Sequence, residues 1–205
     1  MIPEIKICGI TRSEDVAIVN GAPVDYVGFV FAESKRRVTP AQAMTLSGQL
    51  NKGIRKVGVF TDMPLPEIAS IARLCSLDVI QLHRDVTDAE AASLPCPVWI
   101  GISIRTPECI DRLREYPSAR AFVLDAYVAG LNGGTGRTFD WEWARGVSQQ
   151  FDIVLAGGLN TENVGKAIDI VKPRVVDVSS GVEGINGKDA NKVYEFIKAV
   201  RNHEA

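Results

Sequence analysis

Ile153-Val154-Leu155-Ala156-Gly157-Gly158-Leu159-Asn160, continuing through Thr161–Val171 to Val175-Val176-Asp177-Val178, is the stretch whose reading decides the fold. It opens on a short apolar run, turns on two glycines, continues as a helical pattern and closes on a second apolar run. Within the middle segment Val164, Ala167, Ile168 and Val171 recur at i, i+3, i+4 and i+7, one face of a helix. Asn160 or Thr161 stands where a cap is expected, and Pro173 lies just past the end. The flanking runs are continuous rather than alternating, as in parallel strands covered on both faces.

The same strand-turn-helix unit repeats outward in both directions. Strands are expected at Glu4–Cys8, Tyr26–Phe31, Lys56–Phe60, Val79–Leu82, Val98–Ser103, Ala121–Leu124, Ile153–Ala156 and Val175–Val178. Helices are expected at Ser13–Asn20, Pro40–Leu50, Pro64–Leu74, Asp88–Ser93, Pro107–Glu115, Trp141–Gln149, Thr161–Val171 and Asp189–Arg201. Eight such units, with no change of composition between them, predict an α/β protein in which residues 1–205 form one (β/α)₈ (TIM) barrel domain. An open doubly wound sheet is the alternative, because periodicity does not distinguish closure from opening.

Of the 205 residues, 46% are hydrophobic and 23% charged, enough apolar material for a large core and too much for a disordered chain. Formal net charge is -2 and the longest cationic run is Ser34-Lys35-Arg36-Arg37, so no nucleic-acid surface is expected. No apolar run reaches the ~18 residues of a membrane span. Met1–Lys6 has neither the basic start nor the apolar stretch of a signal peptide, and a cytoplasmic location is expected. Cysteines stand at 8, 75, 96 and 109, none in Cys-x-x-Cys, and there are two histidines; free thiols and no metal site follow. Nothing marks a large apolar surface, so a monomer is expected.

In a barrel of this kind the residues at strand C-termini converge on one face. The loops after strands seven and eight, Gly157-Gly158 and Ser179-Ser180-Gly181, bring backbone N–H groups together as an anion-binding concavity. One such loop reads as a tight turn; two in these places favour a phosphate site. Neither has the Walker lysine or the G-x-G-x-x-G spacing, so no nucleotide is implied. Val123-Leu124-Asp125 delivers a carboxylate at the end of strand six, ahead of the glycine-rich loop Gly133-Gly134-Thr135-Gly136, which reads as a lid, an anion cradle or a plain turn. Cys8, ending strand one, is either a base or nucleophile aimed into the site or a small buried residue. Arg36 is a candidate carboxylate clamp or a solvated cation. His83 is a site residue or a structural histidine. Asp62 and Asp140 read as turn or cap residues, and Cys75, Cys96 and Cys109 as buried apolar ones.

Taken in order, Lys6-Ile7-Cys8-Gly9-Ile10-Thr11, Gly28-Phe29-Val30-Phe31 with Ser34-Lys35-Arg36, Val57-Gly58-Val59-Phe60, Gln81-Leu82-His83, Asp125 with Gly133-Gly134-Thr135-Gly136 and Phe139-Asp140-Trp141, Ala156-Gly157-Gly158-Leu159, and Asp177–Glu183 form a specific set. Along essentially its whole length the chain resembles the phosphoribosylanthranilate isomerases of tryptophan biosynthesis. The resemblance implies a (β/α)₈ barrel and an Amadori rearrangement of N-(5-phosphoribosyl)anthranilate to 1-(2-carboxyphenylamino)-1-deoxyribulose 5-phosphate, with no cofactor or metal. It implies Asp125 as general acid on the ring oxygen and Cys8 as general base at C2′. Arg36 is implied as the grip on the anthranilate carboxylate, His83 and Gly134 as substrate contacts, and Gly157, Gly158, Ser180 and Gly181 as the phosphate site. That chemistry asks for a lowered Cys8 pKa and a raised Asp125 pKa.

The family usually has Gly where this chain has Arg84, and commonly Tyr where it has Arg37. Arg84 is expected either to reshape the site near the aromatic ring or to point outward and pair with Asp85. Two rival readings remain at this stage. One is the related aminoaldose isomerase of histidine biosynthesis, which uses a carboxylate where this chain has Cys8. The other is a catalytically silent phosphate-binding barrel, which predicts loss of the acid or the base.

Overall fold

Short apolar runs bounded by glycine and polar turns extend as strands, and in this chain all eight close on themselves. The structure, a computed structural model, describes residues 2–126 and 138–203. The order is β1 (Glu4–Cys8), α1 (Ser13–Asn20), β2 (Tyr26–Val30), α2 (Pro40–Ser47), β3 (Arg55–Phe60), α3 (Leu65–Leu74), β4 (Val79–Leu82), α4 (Asp88–Ala92), β5 (Val98–Ile104), β6 (Ala121–Ala126), β7 (Ile153–Leu155), α5 (Val164–Val171), β8 (Val175–Val178), the two-stranded hairpin β9 (Glu183–Gly184) and β10 (Gly187–Lys188), and α6 (Ala190–Arg201). Strands β1 to β8 form a closed barrel in sequence order, every pair parallel. Pairing of β1 with β8, with Lys6 opposite Asp177, closes the ring and removes the open-sheet alternative.

The period of two along each strand divides the side chains between two cores. Ile7, Phe29, Phe60, Leu82, Leu124, Leu155 and Val178 point out, beneath the helices. Tyr26, Val57, Val79, Trp99, Val123, Val154 and Val175 fill the interior toward the strand N-termini. At that end Glu4 pairs with Arg55 and Arg174, Asp152 pairs with Arg120 and Arg174, and Arg55 lies over the Tyr26 ring at 3.6 Å. The open end of the barrel, at the strand C-termini, is left for chemistry.

Three expected helices differ. Residues Pro107–Glu115 wind as a 3₁₀ helix with Leu113 its one fully buried side chain, so there is little apolar packing to favour a wider α stripe. The segment expected at 141–149 is two 3₁₀ turns, Trp141–Ala144 and Val147–Gln149, split by Gly146 at φ 79°. Helix α5 starts at Val164 because Asn160 Oδ1 accepts from the N–H groups of Glu162 and Asn163, forming a turn before the helix.

Candidate functional site

One cleft opens at the strand C-termini, with about 780 Å³ of empty space including its mouth, the size of a small-molecule site. Cys8, Arg36, His83, Asp125, Gly157, Gly158 and Ser180 all line it. The strand period brings them together, because Cys8, Gln81, His83, Asp125 and Asp177 occupy inward-facing positions of β1, β4, β6 and β8 or directly follow them. Three chemical side chains each lie against a missing one. A Cβ on Gly28 would stand 2.7 Å from Cys8 Sγ, one on Gly157 would stand 2.5 Å from Asp125 Oδ1, and one on Gly101 would press into the His83 ring.

Cys8 ends β1, with its carbonyl accepting from Ser179 Oγ at 3.0 Å. Burial pushes its thiol above the ordinary value; the Lys6 and Lys188 ammonium groups pull the other way without cancelling it. The lowered pKa expected from the chemistry is therefore not present in the ligand-free protein. Burial and the neighbouring Asp177 push Asp125 up to about 6, against the Ala126 N–H and Lys6. That direction agrees with expectation. Strand β6 runs two residues further than expected, so Asp125 is held within it, paired in register with Ser103. Burial, helped by the Lys6 charge, lowers His83 to about 4, and its Nε2 lies 2.6 Å from Gln81 Nε2. At neutral pH it is an uncharged hydrogen-bonding group of the cleft.

Close enough to act on both Cys8 and Asp125 lies an ion pair that sequence reasoning did not single out. Lys6 Nζ donates to Asp177 Oδ2 at 2.5 Å, with side-chain exposures of 0% and 7%. Asp177 keeps Lys6 charged despite its burial. Removing Lys6 alone, as in Lys6→Met, is expected to destabilise the fold by about 3–5 kcal/mol by stranding the Asp177 carboxylate. Urea denaturation measures this, and a loss below about 1 kcal/mol would show that the pair is not held as a unit. Asp177 Oδ1 and, with the amide placed as here, Gln81 Oε1 are buried without partners among the described residues. Both line the cleft and can accept from ligand hydroxyl groups.

On the β7–β8 side, Gly157 and Gly158 have φ of 82° and 65°, a turn that only glycine adopts readily. Asn163 Nδ2 fixes it by donating to the Gly158 carbonyl at 2.9 Å. Ser180 begins a 3₁₀ turn, Ser180–Val182, and faces the cleft. Gly181 is not among the lining residues. A Cβ there would drive into the Leu159 carbonyl, so its bareness lets the β8 loop pack against the β7 loop. Gly134, with Gly133, Thr135 and Gly136, lies outside the described residues. Arg84 neither lines the cleft nor pairs with Asp85: its Nη1 donates to the Met63 carbonyl at 2.7 Å, while Asp85 pairs with Arg112 at 3.0 Å. Asp140 caps the turn after it, accepting from Glu142 N–H at 3.1 Å. Among the described residues there is no His/Cys/Asp/Glu cluster arranged to hold a metal ion.

The model of the N-(5'-phosphoribosyl)anthranilate isomerase family matches residues 5–199. The chain belongs to this family. It is 43% identical over 199 residues to the N-(5'-phosphoribosyl)anthranilate isomerase of a Thermoanaerobacter species, covering 97% of this chain and 98% of the relative. Among solved structures it is similar to the phosphoribosyl anthranilate isomerase of Thermotoga maritima, with TM-score 0.90, 34% identity and coverage of 98% and 99%. A further isomerase structure, in complex with reduced 1-(o-carboxyphenylamino)-1-deoxyribulose 5-phosphate, matches with TM-score 0.87 and 33% identity over 98% of this chain and 99% of that one. Family membership removes the histidine-pathway reading, and the loss of acid or base that the silent-barrel reading predicts is not seen, since Cys8 and Asp125 both line the cleft.

Proposed function

We propose that this phosphoribosylanthranilate isomerase performs the Amadori rearrangement of tryptophan biosynthesis with Asp125 as general acid and Cys8 as general base. Asp125, protonated, gives its proton to the furanose ring oxygen of N-(5'-phosphoribosyl)anthranilate. The C1′–O bond breaks, and the anilino nitrogen lone pair completes a cationic Schiff base at C1′. Cys8 thiolate takes the C2′ proton; the C–H electrons form the C1′–C2′ double bond and neutralise the nitrogen. The resulting enolamine tautomerises to the 2′-ketone. Every electron stays within the substrate, so the rearrangement itself calls for no redox partner.

The observation that supports this reading is the convergence on one cleft of Cys8 from β1 and Asp125 from β6. Arg36 lines this cleft as the group that takes the aryl carboxylate, and Gly157, Gly158 and Ser180 line it as the groups that take the phosphate. We place His83 against the substrate as a neutral hydrogen-bonding group, and Gly181 as the residue that keeps the two phosphate loops adjacent. The whole chain acts as one catalytic domain, as a cytoplasmic monomer. Among the described residues the large exposed apolar side chains, Ile2, Met44, Leu74, Ile185 and Tyr194, stand apart along the sequence.

The test is turnover of phosphoribosylanthranilate generated in situ, followed by its anthranilate-type fluorescence. The native protein is expected to accelerate its loss, and both Cys8→Ser and Asp125→Asn to abolish the acceleration. Loss at the uncatalysed rate with the native protein would sink the reading.

A further inference from the structure

Arg36 is not free to meet a ligand in any orientation. Its stem crosses Gly9, where an added Cβ would strike Arg36 Cδ, and its N–H donates to Ser34 Oγ at 3.1 Å. Its guanidinium is then gripped by a carboxylate from the far end of the chain. Nε donates to Glu183 Oε1 at 2.5 Å and Nη2 to Glu183 Oε2 at 2.9 Å. That is a side-on bidentate pair, with side-chain exposures of 11% and 15%. Glu183 is itself fixed, since Lys188 Nζ, wholly buried, donates to Oε1 at 3.1 Å and to the Ser179 carbonyl at 3.1 Å. Lys188 in turn gives its backbone N–H to Asp15 Oδ1 at 3.0 Å, whose other oxygen holds Thr11 and Arg12. Burial favours the neutral acid at Glu183, but the bonds from Arg36 and Lys188 hold its carboxyl down to about 2.

A guanidinium offers two forks, and they do not overlap. The side-on fork, Nε with one Nη, is taken by Glu183. The end-on fork, Nη1 with the remaining Nη2 hydrogen, has no partner among the described residues and remains for a second carboxylate. The cluster also keeps a net positive charge, because Arg36 and Lys188 outnumber Glu183 before the exposed Lys35 is added. A second anion is therefore still attracted. We propose that Glu183 is a positioning residue of the isomerisation, holding Arg36 side-on so that its end-on fork meets the aryl carboxylate of the substrate. This rests on the reading that Arg36 binds that carboxylate.

In Glu183→Gln the amide keeps one acceptor but turns N–H groups toward guanidinium N–H groups, so the bidentate hold is lost with little change of volume. The test compares two ligands, reduced 1-(o-carboxyphenylamino)-1-deoxyribulose 5-phosphate and its anilino counterpart without the carboxylate. Inhibition constants are measured on native protein, Glu183→Gln and Arg36→Lys, with kcat and KM alongside. Glu183→Gln is expected to weaken the carboxylated ligand about tenfold more than the other and to raise KM about tenfold, with kcat within about twofold. Arg36→Lys is expected to lose the preference as well. If Arg36→Lys loses it and Glu183→Gln keeps it, Glu183 does not position Arg36 and the inference falls while the carboxylate reading stands. Equal weakening of both ligands in Glu183→Gln, a purely structural effect, overturns it too. Tighter binding of the carboxylated ligand would show Glu183 to be a competitor of the substrate, again overturning it. If Arg36→Lys leaves the preference intact, the carboxylate reading fails and takes the inference with it.

Discussion

Cys8→Ser is expected to lower kcat by about 10³-fold or more, with KM changed less than about threefold. In the proposed mechanism the substitution removes a base rather than a contact. Serine fits where the thiol lies beside Gly28, and the bond from the Ser179 hydroxyl to the Cys8 carbonyl does not involve the Cys8 side chain. What changes is the acidity of the group. The site already works against the thiolate, because burial raises the Cys8 pKa and Lys6 and Lys188 offset only part of the rise. In the free protein the ionised thiol is a minority species. In the proposed mechanism the cationic Schiff base formed when the sugar ring opens supplies the further positive charge that favours thiolate when the C2′ proton must leave. A hydroxyl starts from a far higher pKa and is not brought into range by the same charges. Steady-state kinetics with the fluorescent substrate decide the point, together with a thermal midpoint within about 2 °C of native to show an intact fold. A kcat within tenfold of native would mean that another group takes the C2′ proton.

The fold was legible where local pattern is dictated by burial, and illegible where it hangs on one dihedral angle or on a partner far along the chain. Nearly continuous apolar runs such as Ile153–Leu155 fit strands covered on both faces, and eight of them in βα order leave a short menu of topologies. Nothing in Trp141–Gln149 says that Gly146 will adopt a left-handed angle and divide the helix, since glycine accepts both hands. In the cleft, Cys8, His83, Asp125, Gly157, Gly158 and Ser180 could be placed because each ends or follows a strand. Arg36 could be placed on its loop, but not its carboxylate partner Glu183, which lies 147 residues away in sequence. The Lys6–Asp177 pair was hidden for the same reason, its members lying 171 positions apart in sequence. Its signal was present as a lone lysine inside Ile5-Lys6-Ile7 and a lone aspartate inside Val176-Asp177-Val178. Two opposite charges in the apolar strands that close a barrel are an ion pair once β1 and β8 are known to be neighbours. That Gly181 packs against the Leu159 carbonyl of the β7 loop could not be placed either, because the contact joins two loops and leaves no local pattern.

Asp125→Asn is expected to reduce kcat by about 10³- to 10⁴-fold while making the protein more stable at neutral pH. Both effects come from one perturbed carboxyl. With its pKa raised to about 6, native Asp125 holds its proton more tightly than it does in the unfolded chain, where its ordinary value is 3.8. Stability from this group is thus greatest below the unfolded value and declines as pH rises from 3.8 to about 6. Above that range the buried ionised carboxylate costs the fold an upper limit of about 3 kcal/mol. Asparagine carries no such charge. The variant should therefore melt several degrees above native at pH 7.5, and the two should converge near pH 4, where Asp125 is protonated in the native state. Activity carries a second signature. In the proposed mechanism the reactive form has Asp125 protonated and Cys8 ionised, an inverted order, because the acid has the lower pKa of the two. Native kcat/KM should then climb with pH to a break at about 6, stay level as loss of the acid balances gain of the base, and fall above the raised Cys8 value. In Asp125→Asn only the base still titrates, so the residual kcat/KM should keep climbing about tenfold per pH unit through the range where native is level. Titration of the substrate phosphate falls in the same region but is common to both proteins, so it cancels in their ratio. A ratio of native to variant activity that does not change between pH 6.5 and 8 would remove Asp125 from the role of general acid, whatever the loss in kcat.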